Sequence, residues 1–333
     1  IAIAAARRAG LRVHVFEEGY LRPDWLTLER DGVNGNSRLP DDPDWYRAAA
    51  RAVPDPVAAR PVGAGLRQRI AYDFHWQLAN YRHWPRYPHY RSHRPYPIWA
   101  EYTTWLGRLG RLPRARARAK DLIQTLIREQ QRYFLFPLQL DTDSQIRQHS
   151  PFGRLAGAIE SVIKDFARTA PGDARLILKN HPLDNGWTNY RRLIERCARA
   201  EGAAARIHFI DGGDLNLLVD HAAGIVTVNS TVGLTALERG RPVIALGQAV
   251  FGIPGLTFRG DLSAFWRAPE PPDAALLADF RRVLLQACLV NGNFYTEDGI
   301  ALAVQTSIAR LTSDLDPLAE APRRRFALST AHA

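Results

Sequence analysis

The alternation of apolar and polar positions divides the chain into two unlike halves. Residues 1 to 10 set Ala and Arg on a helical pattern that Gly10 stops, and Leu11 to Phe16 then alternate with β-branched content, which predicts a strand. Helix followed by strand is the second half of a βαβ unit. The chain opens at Ile1, without a methionine, on a helix already under way, so a first strand and its loop are expected to precede it. The predicted strand runs into Glu17-Glu18-Gly19-Tyr20-Leu21-Arg22-Pro23, which places two carboxylates in a turn beyond its carboxyl end. Residues 29 to 70 hold turn-forming Gly, Pro, Asp and Asn and then an Ala/Arg helical stretch, with no readable motif.

The second half is more regular. Arg132 to Leu140 is an apolar run that predicts a buried strand, with Asp141-Thr142-Asp143-Ser144 at its carboxyl end. Ser150 and Pro151 suit the N-cap and first turn of a helix that puts Leu155, Ile159, Val162, Ile163 and Phe166 on one face. Strands over 175–179, 206–210, 224–228 and 243–246 alternate with helices near 189–200 and 215–220. A further helix is opened by Asn229-Ser230-Thr231 and closed by Gly240 and Pro242. Such alternation predicts a parallel, doubly wound α/β sheet.

Composition narrows the class. At 333 residues and 46% hydrophobic content the chain has room for about two domains of ~100–200 residues, which excludes collagen-like and disordered classes. Two cysteines, Cys197 and Cys288, supply no disulfide framework and no metal-ligand cluster. No stretch approaches the ~18 uninterrupted apolar residues of a membrane span, and no secretory leader stands at the front. A formal charge of +10 favours anionic partners without choosing among them, and the arginine richness is equally explained by genomic base composition.

One segment differs in kind. Residues 72 to 105 carry eleven of the 32 Phe, Trp and Tyr residues, among them Tyr72, Phe74, Tyr81, Trp84, Tyr96 and Trp99. Arg82, Arg86, Arg91 and Arg94 are interleaved, and Arg108, Arg111, Arg114, Arg116, Arg118 and Lys120 follow. Aromatics with polar handles beside cations suit an anionic bilayer interface or stacked nucleobases; aromatic packing between domains is the other reading. Nucleic acid rests on charge and aromatics alone and is not the expected partner.

The groups able to carry chemistry fall at strand ends. Glu17 and Glu18, Asp141 to Ser144, Asn180 to Pro182, and Asn229 to Thr231 all follow predicted strands, where ligands of open parallel sheets bind. Ser230 and Thr231 precede a helix, whose free N–H groups attract a phosphate, although such a pair also caps helices. His181 is placed to hydrogen-bond that phosphate or protonate a leaving group. Asp141 and Asp143 form an Asp-x-Asp pattern open to Mg²⁺ or Mn²⁺, but a protein-only nucleophile or base is the preferred reading, with no metal and no cofactor. Carboxyl groups on opposing domain edges are what glycosidic chemistry needs.

Taken together, FEEGYLRPDWLTLERDGVNGNS (Phe16 to Ser37), FPLQLDTDSQI (Phe136 to Ile146), KNHPLD (Lys179 to Asp184), VNSTVGLTAL (Val228 to Leu237), RPVIALG (Arg241 to Gly247) and VNGNFY (Val290 to Tyr295) resemble the KpsS-type capsule polysaccharide biosynthesis and export proteins, retaining β-Kdo glycosyltransferases of Gram-negative bacteria. The resemblance implies a GT-B-like α/β fold of two Rossmann-type domains whose parallel sheets face a central cleft. The expected division is an acceptor-side domain over 1–125 with the aromatic and basic insertion at about 72–120, a CMP-sugar domain over 126–290, and a helical tail over 291–333. It implies CMP-Kdo as donor, a phosphatidylglycerol-type lipid as acceptor, and a place at the cytoplasmic face, peripheral to the inner membrane, beside other capsule synthesis or export proteins. Glu18, or Glu17, corresponds to the acid/base. Asp143, or Asp141, corresponds to the nucleophile. His181, Pro182, Ser230 and Thr231 correspond to the phosphate contacts, with Gln139, Lys179 and Asn229 beside them, and Arg22 is the candidate partner for the Kdo carboxylate. Transfer of another CMP-linked ulosonic acid, and a non-catalytic export or assembly role, are the alternatives.

Overall fold

The computed structural model describes residues 2–63, 66–90, 98–141, 143–319 and 321–322. Thr142, Arg91, Arg94 and Tyr96 lie outside the described residues. Within the described residues the chain divides into two compact units, one taking Ile1–Pro95 with Ala278–Arg324 and the other built on Tyr96–Leu277. The segments 1–125, 126–290 and 291–333 divide the chain differently. Helix Ile98–Arg128 goes with the second unit, and the residues after 278 return to the first.

In the first unit, β1 (His14–Glu18), β2 (Trp25–Arg30) and β8 (Leu289–Asn291) form an antiparallel sheet in the order β1-β2-β8. A parallel neighbour was expected for the first strand. The turn after it explains the difference, because a parallel partner needs a crossover of a dozen or more residues and Gly19 instead reverses the chain within six. The Gly19 N–H donates to the Trp25 carbonyl at 3.0 Å, and a Cβ at Gly19 would lie 2.1 Å from that oxygen. The strand is also displaced relative to the expected 11–16. It runs through Glu18, with Glu18 opposite Leu26 and Glu17 opposite Thr27. Glu17 and Glu18 are therefore successive strand residues on opposite faces of the sheet, not members of a turn. β8 joins β2 through Trp25↔Asn291 to Thr27↔Leu289, which is why the C-terminal region belongs to this unit.

The second unit carries the expected parallel sheet, and the α/β class stands. β3 (Tyr133–Pro137), β4 (Arg175–Lys179), β5 (Ile207–Ile210), β6 (Gly224–Thr227) and β7 (Val243–Ala245) are ordered β5-β4-β3-β6-β7, all parallel. β3 is buried along its whole length, as a strand covered on both faces must be. Helix Leu155–Thr169 packs its Leu155, Ile159, Val162, Ile163 and Phe166 face into the core. It starts later than Ser150-Pro151 suggests. Gly153 adopts a φ of +63°, Ser150 Oγ donates back to the Ile146 carbonyl, and a short helix, Ser144–Gln148, occupies the segment before.

The core of this unit is an aromatic cluster. Trp266 is fully buried and meets Phe134 and Phe166 edge-on at ring centroids 4.8 and 5.3 Å apart, while its indole Nε1–H donates to Asp165 Oδ1 at 2.6 Å. Among the described residues, no helix is long and apolar enough to cross a membrane. Replacing Trp266 by Ala removes both the packing and the donor, and is expected to cost about 3–5 kcal/mol. Urea denaturation followed by circular dichroism measures it; a midpoint unchanged from wild type would refute this placement of the core.

Candidate functional site

The parallel sheet has one place where its winding reverses. From β3 the chain proceeds through β4 to the edge strand β5, then returns to the other side of β3 for β6 and β7. The loops leaving β3 and β6 therefore diverge at the carboxyl ends of neighbouring strands, the usual ligand-binding crevice of such sheets. Gln139 and Asn229 bridge it. Gln139 Nε2 donates to Asn229 Oδ1 at 2.9 Å, and the Asn229 backbone N–H donates to Gln139 Oε1 at 3.2 Å. The Asn229 amide in turn donates to the carbonyls of Gln145 at 2.9 Å and His149 at 3.3 Å. Two side chains singled out from sequence thus meet, and they tie the loop after β6 to helix Ser144–Gln148.

The other candidates of this unit border the same end of the sheet. Asp143 caps helix Ser144–Gln148 by accepting from Gln145 N at 2.9 Å, and Asp141 Oδ1 accepts from Leu155 N at 3.0 Å. Each carboxylate uses one oxygen as a cap; among the described residues the second oxygen of each makes no hydrogen bond. Beyond β6, Ser230 N donates to Thr227 Oγ1 and Ser230 Oγ accepts from Val232 N at 3.3 Å. Thr231 is the N-cap of Val232–Glu238 without a side-chain cap bond.

His181 follows β4, beside β3. Its Nδ1 accepts the Leu183 N–H at 3.1 Å, which assigns the proton of the neutral ring to Nε2. The loop it sits on is heavily braced. Asp184, nearly buried, accepts from Asn180 Nδ2 at 3.2 Å and Gly186 N at 3.1 Å, and burial pushes its carboxyl above the ordinary range. Lys179, at the end of β4, is only 6% exposed, and burial holds its ammonium below the usual lysine value.

Arg108, from helix Ile98–Arg128, is the residue that sequence reasoning misplaced. It was counted with the surface cations, yet its side chain is 7% exposed. Its guanidinium donates to the carbonyls of His181 at 3.3 Å, Pro182 at 2.8 Å and Asp184 at 2.5 Å, and takes both oxygens of Asp211 at 3.2 and 2.7 Å. Arg111, Arg114, Arg116, Arg118 and Lys120 are exposed, as expected. No periodicity separates Arg108 from them; Leu106 and Leu109 beside it are exposed.

In the first unit the two acidic candidates differ. Glu18, half-buried, pairs through Oε2 with Arg22 at 3.0 Å and accepts a short hydrogen bond from the Tyr295 hydroxyl on Oε1. Glu17, exposed, accepts from Asn34 Nδ2 at 2.8 Å. Tyr20 braces that contact: its hydroxyl accepts from Asn34 N at 2.7 Å and donates to the buried Glu29 at 2.6 Å. Asn34 and Tyr295 were not recognised as partners, although both lie within the quoted motifs. Ile70, Phe74, Leu78 and Tyr81, on helix Leu66–His83, form an exposed apolar stripe at helical spacing, with exposed Arg82 and Arg86 following.

Comparison with known proteins agrees with these motifs. A family model described as capsule polysaccharide biosynthesis protein matches residues 1–295. The chain is 36% identical over 291 residues to the capsule polysaccharide export protein KpsS of Escherichia coli, covering 87% of this chain and 74% of that one. It is 34% identical over 289 residues to the capsule polysaccharide modification protein LipB of Neisseria meningitidis serogroup A, covering 85% and 68%. Among solved structures, KpsC of Thermosulfurimonas dismutans, a beta Kdo 2,7 transferase, is similar at 16% identity and a TM-score of 0.39, over 84% of this chain and 72% of that one. That likeness is too slight to bear on substrate or mechanism.

Changing Asn229 to Asp keeps the acceptor for Gln139 but sets a carboxylate against the carbonyls of Gln145 and His149. It is expected to cost about 1–3 kcal/mol, read as a lower urea midpoint. An unchanged midpoint would show that the bridge does not hold these loops.

Proposed function

Because the chain belongs to the capsule polysaccharide biosynthesis protein family, we propose that it is a glycosyltransferase that moves Kdo from CMP-Kdo to a phosphatidylglycerol-type lipid with retention, starting the oligo-Kdo linker on which capsule is exported. The observation that supports this reading is that carboxylate, hydroxyl, histidine and lysine side chains gather at the carboxyl ends of neighbouring strands, on the loops after β3 and β6 at the winding reversal and after β4 beside them.

The roles follow from the chemistry. The departing CMP phosphate gains charge as its bond to the anomeric carbon breaks. His181 Nε2–H, the Ser230 and Thr231 hydroxyls and the Lys179 ammonium are donors suited to that charge. Asp143, or Asp141, supplies its uncommitted oxygen to the anomeric carbon as the phosphate leaves with the bonding electrons. The lipid hydroxyl then displaces the carboxylate, so two inversions give retention. In this reading the hydroxyl proton passes to Glu18, or to Glu17. Glu18 is the more firmly oriented of the pair, since Arg22 pairs with it and the Tyr295 hydroxyl donates to it. Arg22, which pairs with Glu18 and donates to the Gly19 carbonyl at 3.3 Å, is the candidate partner for the Kdo carboxylate in this reading. These roles call for no bound metal or cofactor.

The acceptor reading is supported by the stripe Ile70, Phe74, Leu78 and Tyr81 with Arg82 and Arg86 beside it. Such a surface suits an anionic bilayer, where each cation near the headgroups contributes about 1 kcal/mol. This fits work at the cytoplasmic face, peripheral to the inner membrane.

Incubation of the protein with CMP-Kdo and phosphatidylglycerol vesicles, followed by mass spectrometry of the lipid, tests the proposal. One added Kdo is expected, with the D141N/D143N variant slower by about 10²-fold or more. Release of CMP from CMP-sialic acid but not from CMP-Kdo would move the assignment to another ulosonic acid. Turnover of neither would favour a non-catalytic export role.

A further inference from the structure

Lys179 and Asp211 lie at the ends of adjacent strands, since Lys179 pairs in register with Ile210. A buried lysine next to a carboxylate ordinarily forms an ion pair with it. Here it does not. Among the described residues the Lys179 ammonium makes no hydrogen bond or ion pair, although Asp211 is the anion that acts on it most strongly. Asp214, the other nearby carboxylate, is engaged as the cap of helix Leu215–His221, accepting from Asn216 N and Leu217 N. Asp184 is engaged with Asn180 and Gly186.

Arg108 accounts for the exception. Its planar fork takes both oxygens of Asp211, the geometry in which guanidinium outcompetes ammonium. Its remaining hydrogens go to the carbonyls of His181, Pro182 and Asp184, and its face lies over the Trp105 ring at 5.1 Å. Arg108 reaches these groups from a helix remote in sequence, whose turns on either side expose Leu106 and Leu109.

We propose that Arg108 is a positioning residue that partitions charge beneath the donor loop: by occupying Asp211 it keeps the Lys179 ammonium available to an anionic phosphate, and by holding three carbonyls it sets the loop that carries His181. The assignment of that anion to the nucleotide donor rests on the proposed function; the partition itself does not. The Arg108 guanidinium and the Asp211 carboxylate offset each other, and Asp214 and Asp184 are committed to backbone and amide donors, so among the described residues Lys179 is left with no carboxylate bonded to it. Burial already disfavours its charge, and a bound phosphate would repay it. An ion pair with Asp211 would neutralise the ammonium before any ligand arrived.

The test uses the fact that the chain has three lysines, Lys120, Lys164 and Lys179, which makes carbon-13 NMR of the lysine ε-methylenes simple to assign. In R108Q, Asp211 is released to Lys179. The Lys179 midpoint is expected to rise by about one unit or more, and CMP binding, measured by calorimetry, to weaken about tenfold. In R108Q/D211N the competing anion is gone, so the Lys179 midpoint is expected to fall back to the wild-type value or below, while CMP affinity recovers only in part because the three carbonyls stay unheld. D211N alone keeps Arg108 on its three carbonyls and is expected to keep CMP affinity, which makes the proposal testable even where R108Q folds poorly. A double variant whose Lys179 midpoint stays as high as in R108Q, or a D211N variant that loses CMP binding, would overturn the partition and leave a merely structural ion pair. A Lys179 resonance that follows the expected titration pattern but does not move on addition of CMP would support the partition while defeating the nucleotide reading.

Discussion

The second unit is organised by a single topological constraint: a parallel strand can be followed in its sheet only through a crossover, and here the crossovers on one side of β3 are completed before the chain returns to the other side. The reversal leaves the loops after β3 and β6 without a helix between them. Any polar group placed there needs a partner from the opposite loop or from a ligand. Gln139 and Asn229 are that partnership. They leave Asp141 and Asp143 each with one oxygen committed to a backbone N–H, so both carboxylates are fixed in direction before a substrate arrives.

The adjoining strand end shows how a buried cation is kept in a sheet of apolar strands. β4 is Arg-Leu-Ile-Leu-Lys, and its last residue is among the most buried charged groups of the chain. Burying a charge is costly unless it is paired, and the obvious pairing is pre-empted by a second cation with better geometry. A buried ammonium with no carboxylate bonded to it directly is a place where a bound anion lowers the cost of burial. The same helix that supplies Arg108 presents exposed Leu106 and Leu109 within one turn of it.

In the first unit the governing contact is the close approach at Gly19. With Trp25 O where a Cβ would be, the chain must fold back at once, and the acidic pair becomes part of a strand. Strand alternation then separates two residues that are neighbours in sequence. Glu18 meets a cation and a phenol, whereas Glu17 meets an amide held in place by Tyr20 and Glu29. Two adjacent carboxylates read as interchangeable in the sequence are chemically distinct in the fold.

The sequence by itself determined what depends on neighbours a few residues apart. The periodicity of Leu155 to Phe166 marks a core-facing helix, the apolar runs mark the strands of the parallel sheet, and the polar residues that follow them are at strand ends. Only the tertiary structure decided which strand lies beside which, because a strand's pattern records how much of it is buried and not what pairs with its edge. Hence the antiparallel partner of His14–Glu18, the return of Leu289–Asn291 to the first unit, and the face on which each glutamate falls. Arg108 is the extreme case: followed in sequence by exposed arginines, it is buried because its partners, from His181 to Asp211, lie 73 to 103 residues away, and no local pattern encodes a partner at that distance.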